Sequence, residues 1–245
     1  MKKQGIVIPH EHGGWAMVSV PFLLGMMAGT PQWNHLLLFI AWLFFYLASY
    51  PLLQSVKRSA HRGRLMIWGL LYGGIAIFCL IPSLFNEPAL LYFGPLLLLL
   101  LTINIWHATR KSERALINDL CAILLFSVGG AAAYLSGGGD WDEKMALVIA
   151  FSFLHFTGSA FFVKSLFRER NNKRWIAYAR AYHIGLLAAP WAIGFPLMTV
   201  AYIVSAVRAF VFAGRPMRPM KAGWIEIAST LQFVLISIYL FRFEW

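Results

Sequence analysis

The chain has 245 residues, of which 60% are hydrophobic and 13% are charged. Soluble domains contain about 45–50% apolar and about 25% charged residues, so this composition excludes a disordered chain, a disulfide scaffold and an ordinary soluble enzyme. The net charge of +11 does not indicate a nucleic-acid partner, because the basic residues stand in short loops between apolar runs. That pattern is typical of a polytopic membrane protein, whose partner is the lipid bilayer.

A helix needs about 20 residues to cross the hydrocarbon core of a bilayer. Nine apolar stretches of suitable length follow one another, and Gly194-Phe195-Pro196 separates the seventh from the eighth. They cover 14–30, 35–55, 66–85, 89–107, 115–136, 145–166, 176–193, 196–213 and 223–243. We therefore predict an all-α polytopic membrane protein with about nine transmembrane helices in a single domain, 1–245.

The loop charges predict the orientation. Of the 21 basic residues, 19 belong to one set of alternate loops, in which Arg208 is counted. The opposite set has only Lys144 and Arg242. Since basic residues concentrate in cytoplasmic loops, the N-terminus is predicted inside and the C-terminus outside.

Two histidines and a glutamate stand together at the start of the first helix, as His10-Glu11-His12. Imidazole and carboxylate groups ligate zinc and iron, but residues i and i+2 point to different sides of a helix. No second pair at a spacing of three or four residues follows, so we do not predict a metal site. The remaining interpretations are a helix cap with Trp15 as an interfacial anchor, and contact of His12 with an anion or headgroup.

Further polar residues lie inside apolar stretches. Placing a polar side chain within a membrane costs free energy, so these residues are functional candidates. Asn118 and Asp119 follow the basic loop before the fifth helix by about one turn, and Arg180 lies at similar depth on the seventh. They form either a structural Asp–Arg pair or a pair that binds a ligand or a proton.

Three helices carry polar stripes. Ser152, His155 and Ser159 share one face of the sixth helix, and Arg180 and His183 share one face of the seventh. The ninth carries Gly223, Glu226, Ser229, Thr230 and Ser237. One stripe alone is explained by helix packing. Several together favour a shared cavity that opens to the cytoplasm.

The chain opens with Ile8-Pro9-His10-Glu11-His12-Gly13-Gly14-Trp15-Ala16-Met17 and continues with Pro21-Phe22-Leu23-Leu24-Gly25. These segments resemble the start of the YwiC-like family of bacterial membrane proteins, whose members typically begin with P-x-x-H-G-x-W-A-M and then P-F-L-L-G. Length, hydrophobicity and the Asn118-Asp119 region suit a resemblance over the whole chain. The resemblance implies a multi-pass protein of the bacterial cytoplasmic (inner) membrane and implies little chemistry.

The predicted helix number and orientation are also similar to those of the UbiA-type membrane prenyltransferases, whose polar cavity opens to the cytoplasm. In that superfamily, Asp-rich motifs at the ends of the second and sixth helices hold a diphosphate through magnesium. Here those ends read Gln54-Ser55-Val56-Lys57-Arg58 and Lys164-Ser165-Leu166-Phe167-Arg168-Glu169-Arg170, without aspartate. Because Mg²⁺ prefers carboxylate oxygens, ordinary prenyl transfer is not expected, and no catalytic residue is carried over.

We expect the cavity to bind an anionic or amphipathic small molecule, such as an isoprenoid. The candidate ligand-binding residues are His12, Trp15, Asn118, Asp119, His155, Arg180, His183 and Glu226. Arginine and histidine would meet an anionic head group, and the aromatic residues a tail. The alternatives are a transporter with a proton relay through Asp119, His155 and Glu226, a UbiA-like transferase that uses basic residues in place of magnesium, and an assembly subunit. The sequence identifies no cofactor and leaves the choice between enzyme and non-enzyme open.

Overall fold

A computed structural model of the chain describes residues 5–9, 12–57, 61–110, 112 and 115–244. Within these residues the secondary structure consists of helices, without strands. The α-helices are α1 (His12–Ala28), α2 (Asn34–Lys57), α3 (Arg62–Asn86), α4 (Gly94–Thr109), α5 (Leu116–Ser136), α6 (Glu143–Leu166), α7 (Lys173–Ile193), α8 (Ile203–Phe212) and α9 (Pro219–Phe243). Two 3₁₀ segments, Pro88–Phe93 and Pro196–Tyr202, lead into α4 and α8. Each predicted stretch overlaps one α-helix, so the all-α prediction is confirmed.

Six of the described helical segments are long and apolar enough to cross a membrane. They are α2, α3, Pro88–Thr109, α5, α6 and α9. Two further apolar segments, Gly13–Ala28 and Pro196–Phe212, are shorter. The helix α7 begins with Lys173 and Arg174, and Arg180 interrupts its apolar sequence. The polytopic membrane class is therefore confirmed, whereas membrane crossing by α1, α7 and α8 and the sides of the two termini stay predictions.

The contacts divide the chain into two compact units, one through Ile149 and one from Ala150. The boundary falls within α6. A single helical domain over 1–245 stays a prediction, and each unit is described by itself below.

In the first unit, α1 and α5 cross where a pair of glycines lets their backbones touch. A Cβ atom on Gly25 would overlap the carbonyl oxygen of Gly130, and one on Gly130 would lie 2.5 Å from the carbonyl oxygen of Pro21. Beyond the crossing, the Thr30 amide donates to the Gly137 carbonyl at 3.0 Å. Small residues at such contacts are common in membrane helices. Gly25, the last residue of the Pro21-Phe22-Leu23-Leu24-Gly25 segment, is therefore required for the close packing of these helices.

A set of polar side chains joins α2, α3 and α5 near the start of α2. The Asn34 amide donates to the Ser136 hydroxyl at 3.1 Å, and its carbonyl accepts from the Ser83 hydroxyl at 3.1 Å. Beside it, buried His35 places Nε2 2.9 Å from the Ala133 carbonyl oxygen. These hydrogen bonds satisfy buried polar groups and connect three helices.

Replacing Asn34 by alanine should lower the free energy of unfolding by about 1–3 kcal/mol, because buried Ser83 and Ser136 each lose a hydrogen-bond partner. Thermal unfolding in detergent measures the loss. The matched control is Asn104→Ala, since the Asn104 amide donates to the Leu100 carbonyl of its own helix. Equal melting temperatures for the two variants would show that Asn34 does not hold the three helices together.

The second unit is built around aromatic residues of α6, α9 and the segment before α8. The Tyr202 hydroxyl donates to the Phe151 carbonyl at 3.0 Å, and its ring stacks on Phe233 with the ring centroids 5.6 Å apart. A second apolar cluster consists of Phe162, Leu166, Ala209 and Ala222. These contacts hold α6, α8 and α9 side by side.

Candidate functional site

An ion pair between α8 and α9 lies in the interior of the second unit. The side chain of Arg208 is 2% exposed and that of Glu226 is 22% exposed. The Nη1 atom of Arg208 donates to Glu226 Oε1, and Nη2 donates to the Ser159 hydroxyl at 2.9 Å. A charged side chain inside a membrane protein needs such partners and is a functional candidate by default.

The placement of Arg208 corrects the prediction that counted it among the cytoplasmic loop cations. Arg208 lies inside α8, and its guanidinium carbon is 4.9 Å from the ring centroid of Phe162. Near the end of an apolar stretch, the pattern of charges along the chain does not distinguish a loop cation from a buried one. Without Arg208 the set counts 18 of the 21 basic residues, some of which, such as Lys164 and Arg180, also lie within helices, and the orientation stays a prediction.

The polar stripes of α6 and α9 meet each other and α8. His155 places Nε2 3.3 Å from the Thr230 hydroxyl, and the Ser205 and Ser229 hydroxyls are 2.7 Å apart. The imidazole of His155 stacks on Phe233, with 4.1 Å between the ring centroids and 5° between the planes. Stripes that the sequence leaves separate therefore converge within the second unit.

The predicted site residue His183, on α7, is also fully buried. Its Nδ1 atom lies 2.7 Å from the Ala179 carbonyl oxygen, so in the neutral ring Nδ1 carries the proton and Nε2 is an acceptor. A Cβ atom on Gly158 would come within 3.3 Å of that Nε2 atom. The glycine lets α6 pass close to the ring. We define the polar cluster as Ser159, Arg208, Glu226, His155, Thr230, Ser205, Ser229 and His183.

Three buried nitrogen atoms of the polar cluster have no hydrogen-bond partner among the described residues. They are Nε of Arg208, Nδ1 of His155 and Nε2 of His183. The Arg208 guanidinium is close enough to interact electrostatically with both imidazoles. Because buried polar atoms are nearly always hydrogen-bonded, three such atoms together indicate spare capacity for binding.

Of the other predicted site residues, Arg180 lies in the second unit outside the polar cluster, and Trp15, Asn118 and Asp119 lie in the first unit. Arg180 is exposed on α7 and donates to the Phe210 carbonyl at 3.5 Å. Thus Arg180 and His183, predicted to share a polar face, differ in burial. Trp15 lies in the first unit, 38% exposed, and packs edge-to-face on Tyr46 with the centroids 5.7 Å apart.

Asn118 and Asp119 are half-buried in the first turn of α5, in the first unit. Asp119 is the acidic residue of this first turn, where the positive end of the helix dipole stabilises a carboxylate. Its predicted pairing with Arg180, in the second unit, stays a prediction. His10, Glu11 and the side chain of His12 lie outside the described residues, so the interpretations of that motif also remain open.

Besides Ser205, Arg208 is the residue of the polar cluster that our sequence analysis placed neither in a polar stripe nor among the site residues. It stands three positions after Ser205 in an apolar run, so the two share one helical face, as do the predicted polar residues of α6. That spacing is the signal that could have found it.

The model of the YwiC-like protein family matches residues 8–134. A Bacillus subtilis protein named "Uncharacterized protein YwiC" is 38% identical over 236 residues, which cover 94% of this chain and 96% of that protein. The chain belongs to the YwiC-like family. A second relative, from Haemophilus influenzae and named "Uncharacterized protein", is 31% identical over 234 residues, 95% of this chain and 98% of its own length.

The predicted resemblance to the YwiC-like family is thus confirmed. No solved structure matches the chain, and the likeness to UbiA-type prenyltransferases stays a prediction. The relatives align well beyond residue 134, so the likeness extends past the first unit.

Proposed function

We propose that this YwiC-like protein binds a small anionic or amphipathic molecule at the polar cluster of its second unit. The observation that carries the proposal is the buried Arg208–Glu226 pair beside three buried nitrogens without hydrogen-bond partners among the described residues. A packing seam alone would satisfy its polar atoms internally. A binding site, by contrast, leaves some hydrogen-bond donors and acceptors without a protein partner, so that its ligand can pair with them.

The proposal places the protein in the bacterial cytoplasmic membrane with its N-terminus inside. The 18 basic residues of one loop set support this orientation. Arg218 and Lys221, at the start of α9, would then face the cytoplasm. Glu226 lies five residues beyond Lys221, about 7.5 Å along the helix, so the polar cluster would be reached from the cytoplasmic side.

The geometry of the ion pair distinguishes two kinds of ligand. Glu226 already neutralises Arg208, so an anion gains the full attraction only if it displaces that carboxylate. Glu226 is the more exposed partner and is the one able to move. An uncharged carbonyl or hydroxyl group can instead accept from Arg208 Nε while the pair stays closed. The rings of Phe162, Tyr202 and Phe233 border the polar cluster and are fully buried, so an apolar tail beside them requires these side chains to move.

His155→Phe tests the proposal without removing the aromatic stack on Phe233. The variant loses both ring nitrogens and the hydrogen bond to Thr230, so we expect about tenfold weaker retention of the bound molecule and a small fall in melting temperature with the fold kept. Native mass spectrometry of gently extracted protein measures the retained mass. Arg180→Gln, which removes an exposed cation of the same unit, should retain the molecule as the wild type does. If folded wild type and His155→Phe give the same occupancy, the proposal is wrong.

Proton-coupled transport is the second candidate function, favoured by the partly exposed Glu226 beside a buried cation. Of the predicted relay, His155 and Glu226 lie in the second unit and Asp119 in the first. Uptake into proteoliposomes that requires a proton gradient and is lost in Glu226→Gln would favour this candidate. Product formation from farnesyl diphosphate would instead favour the transferase alternative.

A further inference from the structure

A groove on the surface of the second unit, at the start of α9, combines two basic side chains with several apolar ones. It has a volume of about 480 Å³ and is lined by Arg218, Met220, Lys221, Trp224, Ile225 and Ala228. We propose that this groove binds one anionic phospholipid, with the phosphate at the two cations and an acyl chain along the apolar wall. This inference goes beyond the proposed function and does not depend on the polar cluster.

The charges and apolar groups of the groove are arranged as a phospholipid requires. The cations lie at the start of α9, and Trp224, Ile225 and Ala228 follow within two turns. From Lys221 to Ala228 the helix rises about 10 Å, which fits a headgroup and the first part of an acyl chain. Met220 and Trp224 are 77% and 66% exposed, so both remain available for contact.

The groove is held in shape by the core beneath it. Ile225 packs against the cluster of Phe162, Leu166, Ala209 and Ala222. The Lys221 ammonium lies 5.9 Å from the centroid of the Phe212 ring, which fixes the cation at one end of the groove. Ile225 is therefore already packed in place before a ligand binds, which reduces the ordering cost of binding.

Charge complementarity selects an anionic lipid over a zwitterionic one. From Arg208 to Trp224 the sequence contains no acidic residue, whereas it contains Arg215, Arg218 and Lys221. Basic residues next to membrane spans attract anionic headgroups by about 1 kcal/mol each, equivalent to roughly fivefold in affinity. The exposed indole of Trp224, one turn from Lys221, stands where interfacial tryptophans anchor membrane proteins.

Native mass spectrometry in detergent, with dioleoylphosphatidylglycerol or dioleoylphosphatidylcholine added, tests the proposal. We expect the wild type to bind one phosphatidylglycerol in preference to phosphatidylcholine. Replacing Arg218 and Lys221 by glutamine should weaken binding about thirtyfold. Arg215→Gln removes the same charge from the same loop outside the groove, so it should weaken binding by at most about fivefold, clearly less than the double variant.

Trp224→Ala separates a lipid from a free phosphate, because only a lipid contacts the indole. We expect about tenfold weaker binding of phosphatidylglycerol. His155→Phe should bind this lipid as the wild type does, so failure of the groove and failure of the polar cluster are distinguishable. The proposal is overturned if the wild type does not prefer phosphatidylglycerol, if Arg215→Gln loses as much affinity as the double variant, or if Trp224→Ala loses none.

Discussion

Glu226→Gln is expected to lower the free energy of unfolding by about 3–5 kcal/mol, because it leaves the Arg208 guanidinium buried without its counter-charge. Glutamine can keep one hydrogen bond to Nη1 but cannot supply the charge. Arg208 has no second carboxylate among its described contacts, which are Glu226, the Ser159 hydroxyl and the Phe162 ring. Thermal or denaturant unfolding in detergent measures the loss.

Two further variants show whether the charge imbalance causes that loss. Glu169→Gln removes a carboxylate in the loop between α6 and α7, where Glu169 accepts from Asn172, and should be nearly neutral. Arg208→Met combined with Glu226→Leu should recover much of the stability, because replacing a buried pair by apolar side chains is often tolerated. A Glu226→Gln variant as stable as Glu169→Gln would contradict the buried ion pair.

A second large effect is expected at the crossing of α1 and α5. Gly25→Ala places a methyl group on the carbonyl oxygen of Gly130, so the two helices must move apart. Overpacking typically costs about 1–3 kcal/mol. Here we expect about 3 kcal/mol or more, because the obstacle is backbone and no rotamer change relieves it. The melting temperature in detergent should fall accordingly.

The control for the helix crossing is Gly74→Ala on α3. No atom lies within 4 Å of a Cβ at this position among the residues that the structure describes, and the site is exposed. Alanine is the better helix former by up to about 1 kcal/mol, so this variant should be neutral or slightly more stable. If both glycine variants melt at the wild-type temperature, α1 and α5 do not touch as described.

Most of the helix positions could be predicted from the sequence, because a membrane fixes the length of an apolar helix. The break between α7 and the 3₁₀ segment before α8 illustrates this success. Gly194 ends α7 with a φ of +92°, a conformation that glycine adopts without strain, and Pro196 begins the next segment. The turn predicted at Gly194-Phe195-Pro196 follows from these two local preferences.

The composition of the site could be predicted only in part, because its contacts join residues far apart in the chain. Arg208 meets Ser159 across 49 residues and Glu226 across 18. Periodicity correctly places Ser152, His155 and Ser159 on one face of α6, and all three are buried. It does not reveal that Arg180 is exposed while Arg208 is buried, since burial depends on how neighbouring helices pack.

The N-terminal motif also shows how little a sequence resemblance predicts about the site. Its resemblance identifies the family, but Gly14 and Trp15 both pack against Tyr46 of α2. The described part of the motif is therefore explained by helix packing in the first unit. The polar cluster lies in the second unit, beyond the residues that the family model matches.

The most direct test of the account is an experimental map of the gently extracted protein in the region of the polar cluster. We predict density for a non-protein molecule within hydrogen-bonding distance of Arg208 Nε and of at least one unpaired imidazole nitrogen, on His155 or His183. The same map of His155→Phe should show weaker density for that molecule with the helices unmoved. An ordered cluster in both proteins, with these nitrogens bonded only to water or to other protein atoms, would contradict the proposed binding site.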